Sequence, residues 1–271
     1  MSSEIFILAF PKLRSSYVKA AQTLKKKSCE ALFLMFSRWL EEPVRVLAEG
    51  LPYKYVMDEV KKQKLIPEPV GAWEYYAEPI LKTLSQIKQQ NPNLDIYCYG
   101  NPSYESFSNE TAFKLVTLTF RALAIGKISV KEWKKVLLEE LKLSLESLED
   151  EAEFIASVAD NYKKSLCICE LSGKSFKEKI AEKKINTKLE YLDVPYKFTP
   201  LETLKNELLN ELEGEPYPDE KIEELIRCHL NYIKKYLLLS NNPDDAYFKW
   251  VATGAKQLEN ILGKQKMVFT G

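Results

Sequence analysis

Five short apolar runs, separated by stretches with helical periodicity, constrain the fold of this chain more than any other feature. Each run is short for a helix and stops at a glycine, a proline or another turn residue, as strands buried in a parallel sheet do. The runs are Glu4–Phe10, Val44–Ala48, Leu94–Tyr99, Leu166–Leu171 and Leu189–Val194. Their alternation with helical patterns predicts an α/β protein whose mainly parallel sheet has about five strands and flanking helices.

The segments between and after these runs predict the domain organisation. Helical periodicity in Leu13–Lys27 and Cys29–Leu40 fills the connection between the first two predicted strands. A helical insertion is expected at about residues 110–163, with Asn109 as the cap of its first helix. After Tyr196 only helical patterns remain. We therefore predict an α/β domain at residues 1–196 and a C-terminal helical region at residues 197–271.

Charge and hydropathy exclude several classes of partner. Lys and Arg together number 39, and Asp and Glu also number 39, so no net field attracts nucleic acid or anionic lipid. Nucleic-acid binding is unlikely without a local basic patch. No apolar run approaches the roughly 18 residues of a membrane span. These features lead us to expect a cytoplasmic protein that does not enter a membrane.

The single histidine, His229, is the most restrictive fact in the composition. It excludes a site with several histidine ligands, and the five cysteines include no CxxC pair, so we predict no metal site and no cofactor. His229 lies among apolar residues at helical spacing, which favours a structural role for it. We expect a protein without histidine catalysis.

Glu49 is the first candidate site residue. It follows the predicted strand Val44–Ala48 and precedes Gly50. In an open α/β sheet, the ligand crevice lies at the carboxyl ends of the strands, so Glu49 is a candidate general base or ligand-positioning group. The alternative is that its carboxylate only caps the helix after Pro52.

Two other predicted strand ends carry polar turns. Tyr99, Asn101 and Ser103 follow the third strand and are candidate ligand-binding residues at the same edge of the sheet, although such turns also form without any ligand. Ser172 and Lys174 follow the fourth strand and could hold an anion, or Ser172 could simply cap a helix. The chain has neither GxGxxG nor GxxxxGK[ST], which argues against a standard dinucleotide or P-loop site.

Arg14, Tyr17 and Arg121 complete the candidate ligand-binding set. Arg14 and Tyr17 follow the first strand, and the two arginines are the cations best suited to a phosphate or carboxylate. Isolated basic residues on helices are also commonly solvated or ion-paired, and that alternative stays open.

Three stretches resemble the TraB/ChaN and erythromycin-esterase type of α/β domain. They are FILAFPKLRSSYVKA, VRVLAEGLP and SLCICELSGKSFKEKIAEKKINTKLEYLDVP, and the similarity spans about residues 4–195. Active members of that family carry an acid and a histidine after the first strand and a histidine in the last unit. Here Pro11–Leu13 and Ser172–Lys174 occupy those places, and only Glu49 corresponds to a family site residue. The resemblance implies a member that lacks the family's histidine chemistry.

Three functions remain open from the sequence. The first is a protein that binds a small polar or anionic ligand, or a partner, in a crevice at the carboxyl ends of the strands. The second is a carboxylate-dependent hydrolase or transferase acting on a small anionic substrate, with Glu49 as its base. The third is a nucleotide-sensing regulatory subunit of a defence system. A homodimer through the C-terminal helices is also open, because those helices are rich in aromatic residues.

Overall fold

The computed structural model describes residues 3–67, 69–212, 214, 216–256 and 258. Five parallel strands form one sheet in the order β3-β2-β4-β1-β5, which confirms the predicted α/β class. The strands are β1 (Glu4–Ala9), β2 (Ala31–Ser37), β3 (Asp95–Gly100), β4 (Lys164–Cys169) and β5 (Asn186–Tyr191).

Helices connect the strands and make up the remainder of the described fold. Two 3-10 turns, Arg38–Leu40 and Leu237–Leu239, add to them. The α-helices are α1 (Arg14–Leu24), α2 (Glu41–Ala48), α3 (Tyr53–Lys62), α4 (Val70–Leu81), α5 (Leu84–Gln90), α6 (Pro102–Ile125), α7 (Val130–Ala159), α8 (Gly173–Glu182), α9 (Pro200–Leu212), α10 (Asp219–Lys235) and α11 (Pro243–Thr253).

Internal contacts divide the described chain into two units. The first, called the α/β unit, comprises residues up to 106 and residues 146–194. The second, the helical unit, comprises residues 107–145 and the residues from 195 onward. Residues 110–145 of the predicted insertion therefore group with the C-terminal helices, whereas residues 146–163 group with the sheet.

The two faces of the sheet are covered by two separate hydrophobic clusters. Leu8 of β1 and Phe10, the residue after the strand, face one cluster, with residues of α1 to α5. Ile5 and Ile7 face the other, with residues of α7 and α8. This alternation follows from the two-residue period of a strand. Because both faces are buried, the inner strands β1, β2 and β4 are mostly apolar.

The second strand is not where the sequence predicted it. Val44–Ala48 belongs to helix α2, and the strand is Ala31–Ser37, inside a stretch predicted to be helical. Val44, Leu47 and Ala48 are buried, which is the spacing of a helix face, and Arg45 lies outside with ion pairs to acids one turn earlier. A short apolar run cannot by itself distinguish a fully buried strand from a buried helix face.

Two helix predictions also need correction. Asn109 lies inside α6, which begins at Pro102 and is capped by Asn101: its side-chain oxygen accepts from the backbone N–H of Ser103 at 3.0 Å and of Tyr104 at 3.3 Å. The sequence patterns of Val130–Leu143 and Leu145–Tyr162 predict two separate helices, but α7 is one helix of 30 residues. No helix in the described ranges is both long and apolar enough to cross a bilayer.

Candidate functional site

The carboxyl ends of β1, β2, β3 and β4 lie at one edge of the sheet, since all the strands are parallel. From β2 the chain continues to its neighbour β3 on one side, and from β4 it continues to β5 on the other side. Strand ends whose connections diverge in this way form the usual ligand crevice of an open α/β sheet. The residues that follow these four strands therefore define the region where a site is expected.

Gly100 allows the ends of β2 and β3 to approach closely. A Cβ at this position would lie 2.8 Å from the carbonyl oxygen of Phe36 and 2.9 Å from its carbon. Because both are backbone atoms, a larger residue would force the two strands apart. Gly100 thereby brings Asn101 and the start of α6 close to Ser37, the last residue of β2.

Glu105, in the first turn of α6, is the central acidic residue of this edge. Burial and, to a smaller extent, the charge of the nearby Glu151 raise the pKa of its carboxyl to about 7. The hydroxyl and backbone amide of Ser37 and the charge of Lys12 act in the opposite direction. These effects place Glu105, Ser37, Lys12 and Glu151 in one electrostatic neighbourhood, and Glu105 forms no ion pair with another described residue.

A second group of polar contacts connects α7 to the ends of β2 and β3. Glu151 accepts hydrogen bonds from the backbone N–H of Asn101 and the hydroxyl of Ser147, each at 3.0 Å. Asp150 accepts from Arg38 at 2.7 Å and from the side-chain amide of Asn101 at 2.9 Å. Burial is the main cause that raises the pKa of Glu151, and the hydrogen bonds that Glu151 accepts from Asn101 and Ser147 oppose this rise.

Glu170 follows β4 and forms the third part of the edge. The hydroxyl of Tyr17 donates to its carboxylate at 3.1 Å, and the Nζ of Lys12 lies 3.6 Å from the same oxygen. Tyr17 is buried, and burial together with the charge of Glu170 raises its pKa well above the ordinary value. Tyr17 is therefore a neutral hydrogen-bond donor at neutral pH.

We call this set the strand-end cluster, and its carboxylates outnumber its cations. Neighbouring carboxylates raise one another's pKa and favour bound cations or hydrogen-bond donors. No group of three or more His, Cys, Asp or Glu side chains in the described ranges has the geometry to hold a metal ion. The cluster consists of Lys12, Ser37, Arg38, Glu105, Asp150, Glu151 and Glu170.

Four of the predicted site residues lie at or beside the carboxyl ends of the strands, and two of them contact the strand-end cluster. Tyr17 and Asn101 contact its carboxylates directly. Tyr99 is buried in β3, and its hydroxyl donates to the carbonyl oxygen of Ile168 at 2.8 Å, so it connects strands rather than facing a ligand. Ser103 is exposed, and its backbone N–H is bound by the Asn101 cap.

Glu49 does not lie at a strand end, because the segment before it is helix α2. It is the C-terminal cap residue of that helix; its side chain is 58% exposed and lies 3.6 Å from Lys88. The prediction that a strand delivers Glu49 to the crevice is therefore wrong. Arg14 begins α1, and its guanidinium donates to the Tyr75 carbonyl and the Glu78 carboxylate of α4.

The remaining predicted residues lie elsewhere. Arg121 belongs to the helical unit, where it is exposed and pairs with Glu132 at 2.9 Å. Ser172 and Lys174 are exposed beside the start of α8, and the Ser172 side chain makes no capping hydrogen bond. His229 also belongs to the helical unit, where it packs edge-on against Trp133 and burial lowers its pKa to about 4.

Sequence reasoning missed most of the strand-end cluster. Ser37 and Arg38 carried a usable signal, since they end the apolar run ALFLMF, but that run was predicted to be helical. Glu105 follows the turn after the predicted strand Leu94–Tyr99, so its place at the edge of the sheet could also have been predicted. Asp150 and Glu151 had no signal, because charged residues within a long helix usually face solvent.

A small cavity lies at the opposite end of the strands. Its volume is about 140 Å³, and it is lined by the loop from Lys25 to Cys29 and by residues of and after α5, among them Ile87, Asn91 and Leu94. Cys29 lies just before β2, and Leu94 directly precedes β3, so this cavity is at their amino ends. Burial raises the pKa of the Cys29 thiol to about 12, which makes it a poor nucleophile.

Comparison with known proteins gave no match: no protein-family model, no curated protein and no solved structure is similar to this chain. The case for a function therefore depends on the geometry and charge of the strand-end cluster.

Proposed function

We propose that this protein binds a small polar ligand carrying a cationic or hydrogen-bond-donating group at the strand-end cluster. The observation that carries the proposal is Glu105, a partly buried carboxyl with no ion pair to another described residue, in a cluster of four carboxylates and two cations. A cationic donor group on a ligand would supply the missing counter-charge. An ionised carboxylate gains most from such a partner when both are shielded from water.

This proposal keeps the crevice expected from the sequence but changes the expected charge of the ligand. An anion was expected to bind Arg14 or Arg121, and both guanidinium groups are engaged by carboxylates on neighbouring helices. Lys12 remains as a cation at the edge and could hold an acidic group at the other end of the same ligand. The anionic ligand and the nucleotide are therefore retained as separate arms of the test.

The test is a two-dimensional amide NMR titration of the full chain at about pH 8, where Glu105 is ionised. Agmatine and putrescine serve as cationic probes, and inorganic phosphate, citrate and adenosine monophosphate serve as anionic probes. We expect the cationic probes alone to shift the amides of Lys12, Ser37 and Asn101. Shifts of these amides by the anionic probes, with none by the cationic probes, would contradict the proposal.

A substitution at Glu105 makes the test specific. Glu105→Gln keeps the size of the side chain and removes its charge, and we expect a roughly tenfold weaker binding of agmatine. Glu146→Gln is the matched control, because Glu146 is an exposed acid of α7 in the same unit. Equal affinities of the two variants would show that Glu105 does not contact the probe.

Carboxylate-dependent catalysis is a second candidate, favoured by the value of about 7 for the Glu105 pKa. An acid that titrates near neutrality can both give and take a proton, which is the requirement for a general acid or base. Glu105, rather than Glu49, is then the residue expected to act. Turnover of p-nitrophenyl acetate or p-nitrophenyl phosphate that falls at least about 100-fold in Glu105→Gln would support this function over binding alone.

Three further expectations remain proposals. A cytoplasmic location is supported by the five cysteines, all of which are free and buried. The resemblance to the TraB/ChaN type of domain stays a prediction, as does a nucleotide-sensing role, which the adenosine monophosphate arm addresses. The binding proposal depends on none of them.

A further inference from the structure

Helix α6 carries a row of exposed apolar side chains within the helical unit. Phe113, Val116, Phe120 and Leu123 are 56%, 65%, 74% and 40% exposed. Their spacing of three, four and three residues places them on one face of the helix, and we call this row the α6 stripe. Scattered exposed apolar residues are common, but a contiguous row of this size marks an interaction surface.

The opposite face of the same helix is already used. Leu115, Leu118 and Ala122 are buried, and so are two threonines of that face, Thr111 and Thr119. On a helical wheel this face lies roughly opposite the stripe. A helix that is apolar on both faces is normally covered on both, so the stripe is expected to have a partner outside the described fold.

We propose that the α6 stripe is covered by the α6 stripe of a second copy of this chain, in an antiparallel pairing with two-fold symmetry. Such an interface requires a self-complementary surface. The stripe satisfies this requirement, because Phe113 then faces Leu123 and Val116 faces Phe120 about one common midpoint. Each pair of facing side chains occurs twice, and both members of each pair are apolar.

The charges at the two ends of the stripe agree with the antiparallel orientation. Glu110 lies near the start of the stripe, and Lys127 lies just beyond the end of the helix. Both side chains are exposed, and neither forms an ion pair with another residue of the described ranges. Antiparallel pairing brings Glu110 of one copy to the end that carries Lys127 of the other, whereas parallel pairing would bring like charges together.

The available area sets the strength of this contact. An aromatic side chain offers about 150–250 Å², so the exposed parts of the four stripe residues amount to roughly 400 Å² per copy. Two copies with their flanking residues would bury on the order of 1,000 Å², the lower limit for a specific interface. The dimer should therefore be weak and dependent on concentration, with a Kd in the micromolar range.

Sedimentation velocity of the full chain between about 1 and 200 μM tests the pairing. We expect the mass to rise from 31.3 kDa toward twice that value, and Phe120→Lys to remain monomeric throughout. Leu238→Lys is the control, because Leu238 is 68% exposed in the same unit but lies outside α6, and it should dimerise normally. A wild-type chain that stays monomeric at the highest concentration would overturn the proposal.

Charge reversal tests the orientation. Glu110→Lys and Lys127→Glu should each weaken the dimer several-fold, and the double variant should restore it; failure of the restoration would overturn the antiparallel arrangement.

The thermal midpoint of Phe120→Lys at about 1 μM should equal that of the wild type. A clear decrease would show that residues of the same chain cover the stripe. Sedimentation of a monomer with anionic phosphatidylglycerol vesicles would instead assign the stripe to a membrane surface.

Discussion

Glu105 of the α/β unit is partly buried and Glu140 of the helical unit is buried, and the two carboxylates differ in their partners. The Glu140 side chain is 8% exposed, and its two oxygens lie 2.8 and 2.7 Å from the Nζ of Lys205. Glu105 forms no ion pair in the described part of the chain, and its pKa rises to about 7. A buried carboxylate with a counter-charge is part of the structure, whereas a partly buried one without an ion pair keeps a capacity to bind a cation or to exchange a proton.

The physical basis of this difference is desolvation. Moving a carboxylate out of water is unfavourable by several kcal/mol unless a counter-charge or hydrogen bonds offset the loss. At Glu140 the lysine of a neighbouring helix offsets it. At Glu105 the interactions with Ser37 and Lys12 oppose the rise of the pKa without cancelling it, so part of the unfavourable energy remains in the fold.

The largest expected effect comes from removing the partner of Glu140. Lys205→Met leaves a buried carboxylate without its counter-charge and should lower the free energy of unfolding by about 3–5 kcal/mol, measured by urea denaturation at pH 7. Lys135→Met is the control, since Lys135 pairs with Glu139 on the exposed surface of α7 and should cost less than about 1 kcal/mol. Equal losses in the two variants would remove the distinction between paired and unpaired burial.

Substitution of Glu105 should have the opposite sign. The unfolded chain loses this proton near pH 4.5 and the folded chain near pH 7, so between these values the folded state binds more protons and its stability falls as the pH rises. Glu105→Gln removes this cost. The free energy of unfolding of Glu105→Gln minus that of the wild type should therefore be about 2–3 kcal/mol larger at pH 8 than at pH 4.

Urea unfolding of the wild type and of Glu105→Gln at both pH values measures this gain. Glu146→Gln, at an exposed acid of the same unit, should show no such dependence on pH. If Glu105→Gln is destabilising at pH 8, the carboxylate already has a favourable partner, and the contrast with Glu140 fails.

The smallest effect concerns Lys12, the exposed cation whose charge lowers the pKa of Glu105. Lys12→Met should raise the pKa of Glu105, because a nearby positive charge favours the ionised carboxylate. Stability should change by less than about 0.5 kcal/mol, since Lys12 is exposed. The side-chain carboxyl carbon of Glu105, followed by NMR through a pH titration, reports the shift. Lys174→Met should leave that titration unchanged; a shift there would show that the effect is not local to Lys12.

Most of the α/β fold was readable from the sequence, and the exception has a clear physical cause. β1, β3 and β4 were predicted within about two residues, because buried parallel strands are continuous apolar runs bounded by turns. β5 begins before the predicted run Leu189–Val194, because it is an edge strand whose residues alternate between exposed and partly buried. For β2, the sequence predicted a strand at Val44–Ala48, which is the apolar face of α2, and a helix at the segment that forms β2. Both segments are short and apolar, and only the ladder to β3 and β4 decides which one forms a strand.

The candidate site was readable in part. The carboxyl edge of the sheet was the correct region for Tyr17 and Asn101, because parallel strands bring their ends together. Glu49 does not belong to the site, because the segment before it is helix α2 and not the predicted strand. Glu151 could not have been found, since its burial depends on α7 packing so that the carboxylate meets the backbone amide of Asn101.

The sequence by itself determined the fold class and the absence of any site built from several histidines, since local apolar periodicity and residue types are properties of short segments and of composition. Only the tertiary structure decided the order of the strands, the partner of each buried charge and the exposure of the α6 stripe. These depend on contacts between residues far apart in the chain, such as Lys12 with Glu170 and Arg38 with Asp150. The pKa of Glu105 belongs to the same class, because desolvation is set by the residues that surround a group and not by its neighbours in sequence.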